Sequence, residues 1–183
     1  MGNTRNYGAD VTLEHYMSRG FYGQVNASLF KAEYRGLDKK WRNQLYDRGY
    51  MLKALGGKEW MISKRKQNVL NVSVKYTLQG GLRHTPIDVA AMKANVAAGI
   101  INDQPIYKED EAMSLQFSPT SLLDLTVSYK INCKKVSHTI AFEGVNILQH
   151  ETPYAERFDF GTGKLRVDKS GISLPNVFYR IDF

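Results

Sequence analysis

Four histidines, one cysteine and a scatter of carboxylates carry whatever chemistry this chain of 183 residues can do. His15, His84, His138 and His150 stand far apart and share no ligand spacing, so no metal centre is expected. They read as polar residues of surface, loop or turn. His150-Glu151 lacks the second histidine of a zinc-protease helix. Gly161-Thr162-Gly163 lacks the Lys-Ser/Thr pair and the strand-to-helix setting of a phosphate loop. Cys133, alone and beside Lys134, excludes an intramolecular disulfide and a cysteine-built zinc site, and reads as structural. No Ser/His/Asp set and no paired carboxylates stand out, so neither an enzyme nor a cofactor is expected. What remains is recognition chemistry. Tyr107, Tyr154, Phe158 and Phe160, with Arg157, could contact a ligand from loops, or else pack those loops against themselves.

The charge balance narrows the partners. Twenty-five Lys+Arg against 18 Asp+Glu give +7, which suits nucleic acid, an anionic membrane surface or an acidic ligand. The basic residues are scattered, and the clusters Ser63-Lys64-Arg65-Lys66 and Lys134-Lys135 fall at turns. They read as solvated turn charge, and nucleic acid is not expected as a partner. Mean hydropathy is −0.40, and no run reaches the roughly 18 apolar residues of a membrane-crossing helix. That test is blind to membrane-crossing strands, whose signal is alternation. Residues Met1 to Tyr7 hold no apolar stretch like that of a signal peptide, so the chain is either cytosolic or begins short of its true start. Asn6 stands where a myristoylation motif wants Ser or Thr.

The loops must hang from strands. Successive side chains leave a strand on opposite faces, and period two recurs along the sequence. Tyr7 to Met17 and Phe21 to Tyr34 read as a hairpin about Ser18-Arg19-Gly20, with Gly20 free to take positive φ. Tyr50 to Ile62 is a third strand in which Gly56-Gly57 suggests a bulge or a close backbone approach. Asn68 to Gln79 and Leu122 to Asn132 alternate most cleanly, and Val136 to Leu148 slips around Gly144-Val145-Asn146, as at a bulge. Pro175 to Phe183 closes the set, with Val177, Tyr179, Ile181 and Phe183 on one side. Three long connections remain, at 35–49, 80–121 and 149–174. In the second, Pro86-Ile87-Asp88 reads either as the start of a short helix through Val89-Ala90-Ala91-Met92 or as part of an irregular chain.

The expected class is all-β, an antiparallel meander of about seven strands with long loops on one side and short turns on the other. A soluble sandwich also alternates, so a soluble β-sandwich or small barrel binding an acidic partner stays as the alternative. Loop asymmetry, strands near the 9–11 residues that cross a bilayer and the aromatic terminus favour a membrane barrel. Tyr7, Phe21, Tyr22, Tyr50 and Trp60 sit near strand ends, where aromatic girdles belong. The lipid side would then carry Leu70, Val72, Val74, Leu123, Leu125, Val127, Tyr129, Ile140, Phe142 and Val177. Seven is odd, whereas bacterial single-chain barrels have even numbers, so a fragment of a larger barrel is expected.

Certain stretches carry a resemblance: Asn6-Tyr7-Gly8, Gly56-Gly57-Lys58-Glu59-Trp60, the run from Gly80-Gly81-Leu82 to Asp88, the run from Asp124-Leu125 to Asn132, Asn146-Ile147-Leu148 and the final Phe178-Tyr179-Arg180-Ile181-Asp182-Phe183. In order and spacing these resemble the C-terminal barrel strands of TonB-dependent outer-membrane receptors, over nearly the whole chain. Ser118-Pro119-Thr120-Ser121-Leu122 departs from the aromatic–arginine approach of many relatives. The resemblance implies that residues 1–183 are the C-terminal segment of a 22-stranded barrel in the outer membrane of a Gram-negative bacterium, with plug and earlier strands absent. It implies active uptake of a scarce ligand, siderophore, vitamin or glycan, driven by the TonB complex through the plug region. It also implies outer-membrane lipid as surroundings, and Tyr179, Ile181 and Phe183 as the C-terminal signal read by the barrel assembly machinery.

Overall fold

The computed structural model describes residues 2–63, 67–100 and 104–183. In chain order the strands are β1 Asn3–Ser18, β2 Phe21–Arg35, β3 Trp41–Asn43, β4 Tyr50–Ser63, β5 Asn68–Gln79, β6 Arg83–His84, β7 Leu115–Gln116, β8 Thr120–Asn132, β9 Ser137–Val145, β10 Thr152–Asp159, β11 Lys164–Ser170 and β12 Leu174–Asp182. One α-helix, α1 Val89–Ala97, and a 3-10 turn at Glu109–Glu111 lie between β6 and β7. The main sheet runs β1-β2-β4-β5-β8-β9-β12, each strand antiparallel to the next, with β3 added beside β2. The seven alternating stretches are thus the seven long strands, in a meander.

The first hairpin turns on Arg19 and Gly20, both at positive φ (52° and 81°). That pair of conformations matches the twist of the strands it joins, and glycine takes it without strain. The Gly20 carbonyl accepts the Glu59 N–H at 2.7 Å, stitching this turn to β4.

Several expectations fail in detail. No bulge occurs at Gly56-Gly57: both stay in register with Gly23 and Tyr22 on one side and with Val74 and Ser73 on the other. Gly57 is needed because a Cβ there would lie 2.3 Å from the Tyr22 ring. Nor is there a bulge at Gly144, which pairs in register with Leu125 and Pro175. Alternation slips there because β9 ends at Val145 and Asn146 turns the chain at φ 51°. The irregularities fall instead between His15 and Ser18, and between Met61 and Ser63. β1 and β2 have 16 and 15 residues, longer than a bilayer requires. The connection 149–174 holds the β10–β11 hairpin, and 80–121 holds α1, which Asp88 caps by accepting the Ala91 N–H at 3.0 Å.

Register decides the faces, because residues directly opposite on neighbouring strands project to the same side. Leu13 faces Val25, which faces Ala54, which faces Tyr76, which faces Leu123. Val72 faces Val127, which faces Phe142, which faces Val177. All ten residues assigned to the lipid side therefore share one face, and none of them is buried. Leu13, Leu29 and Val177 on that face are 66%, 68% and 69% exposed. The opposite face carries Thr12, Asn26, Lys53, Asn71, Ser73, Asp124, Thr126 and Arg180, interspersed with Leu55, Ala141 and Phe178. Tyr22 belongs to this polar face, not to an aromatic girdle: its hydroxyl accepts from Asn71 Nδ2 at 2.9 Å. The apolar cluster of buried residues lies off the sheet, where Ile87, Met92 and Phe158 pack with Val89, Ile106 and Phe160.

Candidate functional site

All three long connections leave from the same end of the sheet and meet there. The anchor is Asp47, fully buried in the first connection. Its Oδ2 lies 3.0 Å from Lys31 Nζ and 3.5 Å from Arg83 Nη2, and its Oδ1 accepts the Ala32 N–H at 2.9 Å. Arg83 also donates from Nε to the Asp47 carbonyl at 3.0 Å, tying the second connection to the first. Lys31 reaches Asn43 Oδ1, and Asn43 donates to the Met113 carbonyl at 3.0 Å. Such a buried carboxylate is tolerated because every face of it is paired. At the outer turn, Arg42 donates to both oxygens of Asp38 and holds its carboxyl down at about 2.

Two glycines let the connections approach one another. A Cβ on Gly80 would sit 1.9 Å from the Arg48 carbonyl oxygen, and one on Gly81 would sit 2.1 Å from that of Phe117. Arg48 donates to the Gly80 carbonyl at 2.8 Å, and Gln116 donates to the carbonyls of Arg48 and Gly81, each at 3.1 Å.

Beyond this seam lies a cavity of about 370 Å³. Leu45 lines it from the first connection, Arg83, His84, Thr85, Tyr107, Met113 and Phe117 from the second, and Tyr154, Ala155 and Glu156 from the third. His84 stacks on Phe117, ring centroids 3.9 Å apart and planes 9° apart. Burial there pushes the His84 pKa below its ordinary value, against the opposite pull of the Glu156 carboxylate. His84 Nε2 and Glu156 Oε2 are 3.9 Å apart, too far for a hydrogen bond. His84 Nδ1 and Glu156 Oε2 are buried without a hydrogen-bond partner among the described residues.

The five loop residues singled out from the sequence divide. Tyr107 and Tyr154 line the cavity. Phe158 is a core residue, only 7% exposed, and Phe160 packs edge-on against it at 5.4 Å. Arg157 faces outward beside Asp168, which lies 3.9 Å from Arg166 as well. The hairpin is amphipathic, so Phe158 and Arg157 go to opposite sides. His84 lies in the second connection, within the expected range of surface, loop or turn positions, and Phe117 covers its ring. Asp47, Arg83, Phe117 and Glu156 carry no motif that could have singled them out. His138 belongs to the apolar face, its Nδ1 2.6 Å from the Tyr179 hydroxyl. Tyr179, Ile181 and Phe183 lie at the opposite end of the sheet, beside the short turns, and are exposed. Among the described residues no three histidine, cysteine or acidic side chains converge as a metal site.

Comparison with protein families, with curated proteins and with solved structures returns no match for this chain.

Proposed function

We propose that this sheet is a section of the wall of an outer-membrane transport barrel of the TonB-dependent receptor type, with the long connections as its ligand-facing side. The observation that carries the reading is the uncovered apolar face bordered by aromatic rows. Phe21, Trp60, Tyr129 and Tyr179 stand on that face toward the short turns, and Tyr7, Tyr50 and Tyr76 toward the long connections. Tyr50 and Trp60 share β4 with ten residue steps between them. At about 3.4 Å per step they are some 34 Å apart along the strand. Tilted 35–45°, the strand rises about 24–28 Å over that length, close to the ~25 Å apolar band of such barrels. Lys58, the one charge within the band among the described residues, lies 4.2 Å from the Phe21 ring centroid and 5.1 Å from that of Trp60, next to the short-turn rim. A cation there reaches headgroup level by snorkelling.

Strand direction supports the same reading. Directions alternate along seven strands, so the outer edges β1 and β12 run parallel. An all-antiparallel ring then needs an odd number of further strands between them, which a ring of about 22 strands supplies. In hydrocarbon those edges must be paired, because unsatisfied backbone groups cost several kcal/mol each. The polar face would border the lumen. The last strand would present Tyr179, Ile181 and Phe183 to the assembly machinery, and the TonB complex would act through a plug.

Flotation tests the proposal. The complete barrel of which this sheet would be a section is expected to rise with lipid vesicles through a density gradient and to resist carbonate extraction. A detergent-free, monomeric chain with a cooperative melt would overturn the reading in favour of a soluble binding module.

A further inference from the structure

Charge is arranged differently at the two ends of the sheet. At the long connections cations stand beside carboxylates: Lys31 and Arg83 at Asp47, Arg42 at Asp38, Arg5 at Glu33 and Arg157 at Asp168. At the short turns they do not. Arg19 in the β1–β2 turn, and Lys134 and Lys135 in the β8–β9 turn, are exposed and make no ion pair among the described residues. Lys58, on the apolar face, meets the rings of Phe21 and Trp60 rather than a carboxylate. The Gly20–Glu59 backbone bond sets the Arg19 turn beside this cluster. Glu14, Glu59 and Asp182, the acidic residues at this end, stand opposite Gln24, Asn71 and Ser137 and so belong to the polar face. The Phe183 carboxylate, one residue past the Asp182–Ser137 pair, offsets a single charge, leaving four cations against one carboxylate. Lys64, Arg65 and Lys66 of the β4–β5 turn lie outside the described residues and form no part of this site.

Two tyrosines show where this rim changes from apolar to polar. Tyr129 and Tyr179 share a row of the apolar face with Leu70 and Ile140. The Tyr129 hydroxyl accepts from Asn68 Nδ2 at 3.3 Å, and the Tyr179 hydroxyl lies 2.6 Å from His138 Nδ1. Asn68 opens β5 and His138 is the second residue of β9. Both hydroxyls therefore reach toward the short turns, with their rings behind them on the apolar face. A ring so placed keeps its body in hydrocarbon and its tip among headgroups. The cations beside and beyond these rings then lie at headgroup level, where lipid phosphates are the counter-charge at hand. A zwitterionic headgroup brings its own cation with its phosphate, whereas an anionic one matches the surplus on the protein. We infer that the short-turn rim selects anionic phospholipids, holding their phosphodiester headgroups at two sets of cations, Arg19 with Lys58 and Lys134 with Lys135. The inference rests on reading the sheet as a barrel wall, and names the lipid partner of one rim of that wall.

Brominated lipids test it, because bromine quenches an indole only at close range. The complete barrel of which this sheet would be a section is placed in phosphatidylcholine bilayers. These carry either brominated phosphatidylglycerol or brominated phosphatidylcholine, and the Trp60 signal is the difference from Trp60→Phe. Brominated phosphatidylglycerol is expected to reach half-quenching at a mole fraction about fivefold or more lower, the factor that one Lys or Arg near an anionic surface supplies. Arg19→Gln/Lys58→Gln/Lys134→Gln/Lys135→Gln should bring the two lipids within about twofold of each other. Quenching by brominated phosphatidylcholine should persist in that variant, which shows that it still folds into the bilayer. Lys39→Gln/Lys40→Gln/Lys93→Gln/Lys169→Gln removes as many exposed charges at the long connections and should leave the preference unchanged. Inorganic phosphate at matched ionic strength should also leave it unchanged; displacement of the lipid by phosphate would make this a site for the free anion and overturn the inference. A preference that survives the first variant, or is lost equally in the second, overturns it as well. Equal quenching by both lipids in the parent sinks only the lipid class, and quenching by neither takes the barrel reading with it.

Discussion

Val74→Arg is the substitution that weighs most heavily on the face assignment. Val74 faces Gly56 on β4 and Leu125 on β8, in the middle of the apolar face. It stands six residues from Asn68 and five from Gln79, or about 17–20 Å along the strand in each direction. On the barrel proposal, a tilt near 45° makes that ~12–14 Å of vertical depth, which would put it close to the midplane of a bilayer core about 25–30 Å thick. An arginine on the lipid side at that depth costs about 2–4 kcal/mol. The control belongs on the other face of the same region. Thr126 is suitable, because it faces Ser73 and Glu143 and a new guanidinium there gains a carboxylate neighbour. Thr126→Arg should stay within about 1 kcal/mol of the parent. Lys75 would be a poorer control, since it pairs at 2.7 Å with the buried Asp124. Urea titration of the complete barrel in thin phosphatidylcholine vesicles, followed by tryptophan fluorescence, measures both. Equal costs, or a larger cost at Thr126, would refute the orientation of the sheet.

Three further expectations follow from the loop end. Gly80→Ala should destabilise by roughly 1–3 kcal/mol, since its Cβ meets backbone that cannot swing aside, whereas Gly56→Ala opens onto free space and should be near neutral; thermal melts of the two variants compare them directly. Asp47→Asn should cost up to about 3 kcal/mol by stranding Lys31 and Arg83, and limited proteolysis should then cut the connections while sparing the sheet. Because burial lowers the His84 pKa from its ordinary 6.5, the unfolded chain takes the proton more readily. Loop stability should therefore be unaffected above about pH 6.5 and fall as pH drops toward the lowered folded value. His84→Phe should flatten that dependence, and a melt insensitive to pH between 7.5 and 5 in the parent would contradict it.

The sheet was legible in the sequence because its rule is local. Whether Leu70 and Val72 share a side follows from a spacing of two and from nothing further away. Register then carries the pattern across strands, since a slip of one residue would turn Val72 and Val74 inward and Ser73 outward. The bulge expected at Gly144, and the one that stood beside close backbone approach as a reading of Gly56-Gly57, show where the local rule stops. Gly57 breaks the alternation for the sake of Tyr22, a residue on the neighbouring strand, and Gly144 precedes a strand end that Asn146 makes by its own backbone conformation. The β10–β11 hairpin left a trace in Phe158 and Phe160 before Gly161-Thr162-Gly163 and in Leu165 and Val167 after it, but without knowledge of what they cover, that alternation is too short to outweigh a loop reading.

The site was illegible for a physical reason that also bears on how it works. Among the described residues the connections own a buried apolar cluster of Ile87, Met92 and Phe158, with Val89, Ile106 and Phe160 packed against it, too small to order chain of this length against its conformational entropy. Their order comes instead from polar contacts across long sequence distances: Asp47 to Lys31 and Arg83, Asn43 to Met113, Gln116 to Arg48. No spacing rule announces such contacts, because each residue's role depends on partners that the fold delivers. The same dependence gives the loop end a lower local stability than the continuously paired sheet, and ligand-handling segments are drawn from that end of the stability range. Glu156 and His84 fit this account: Glu156 Oε2 and His84 Nδ1 are buried polar atoms without a hydrogen-bond partner among the described residues, a cost that no spacing rule in the sequence announces.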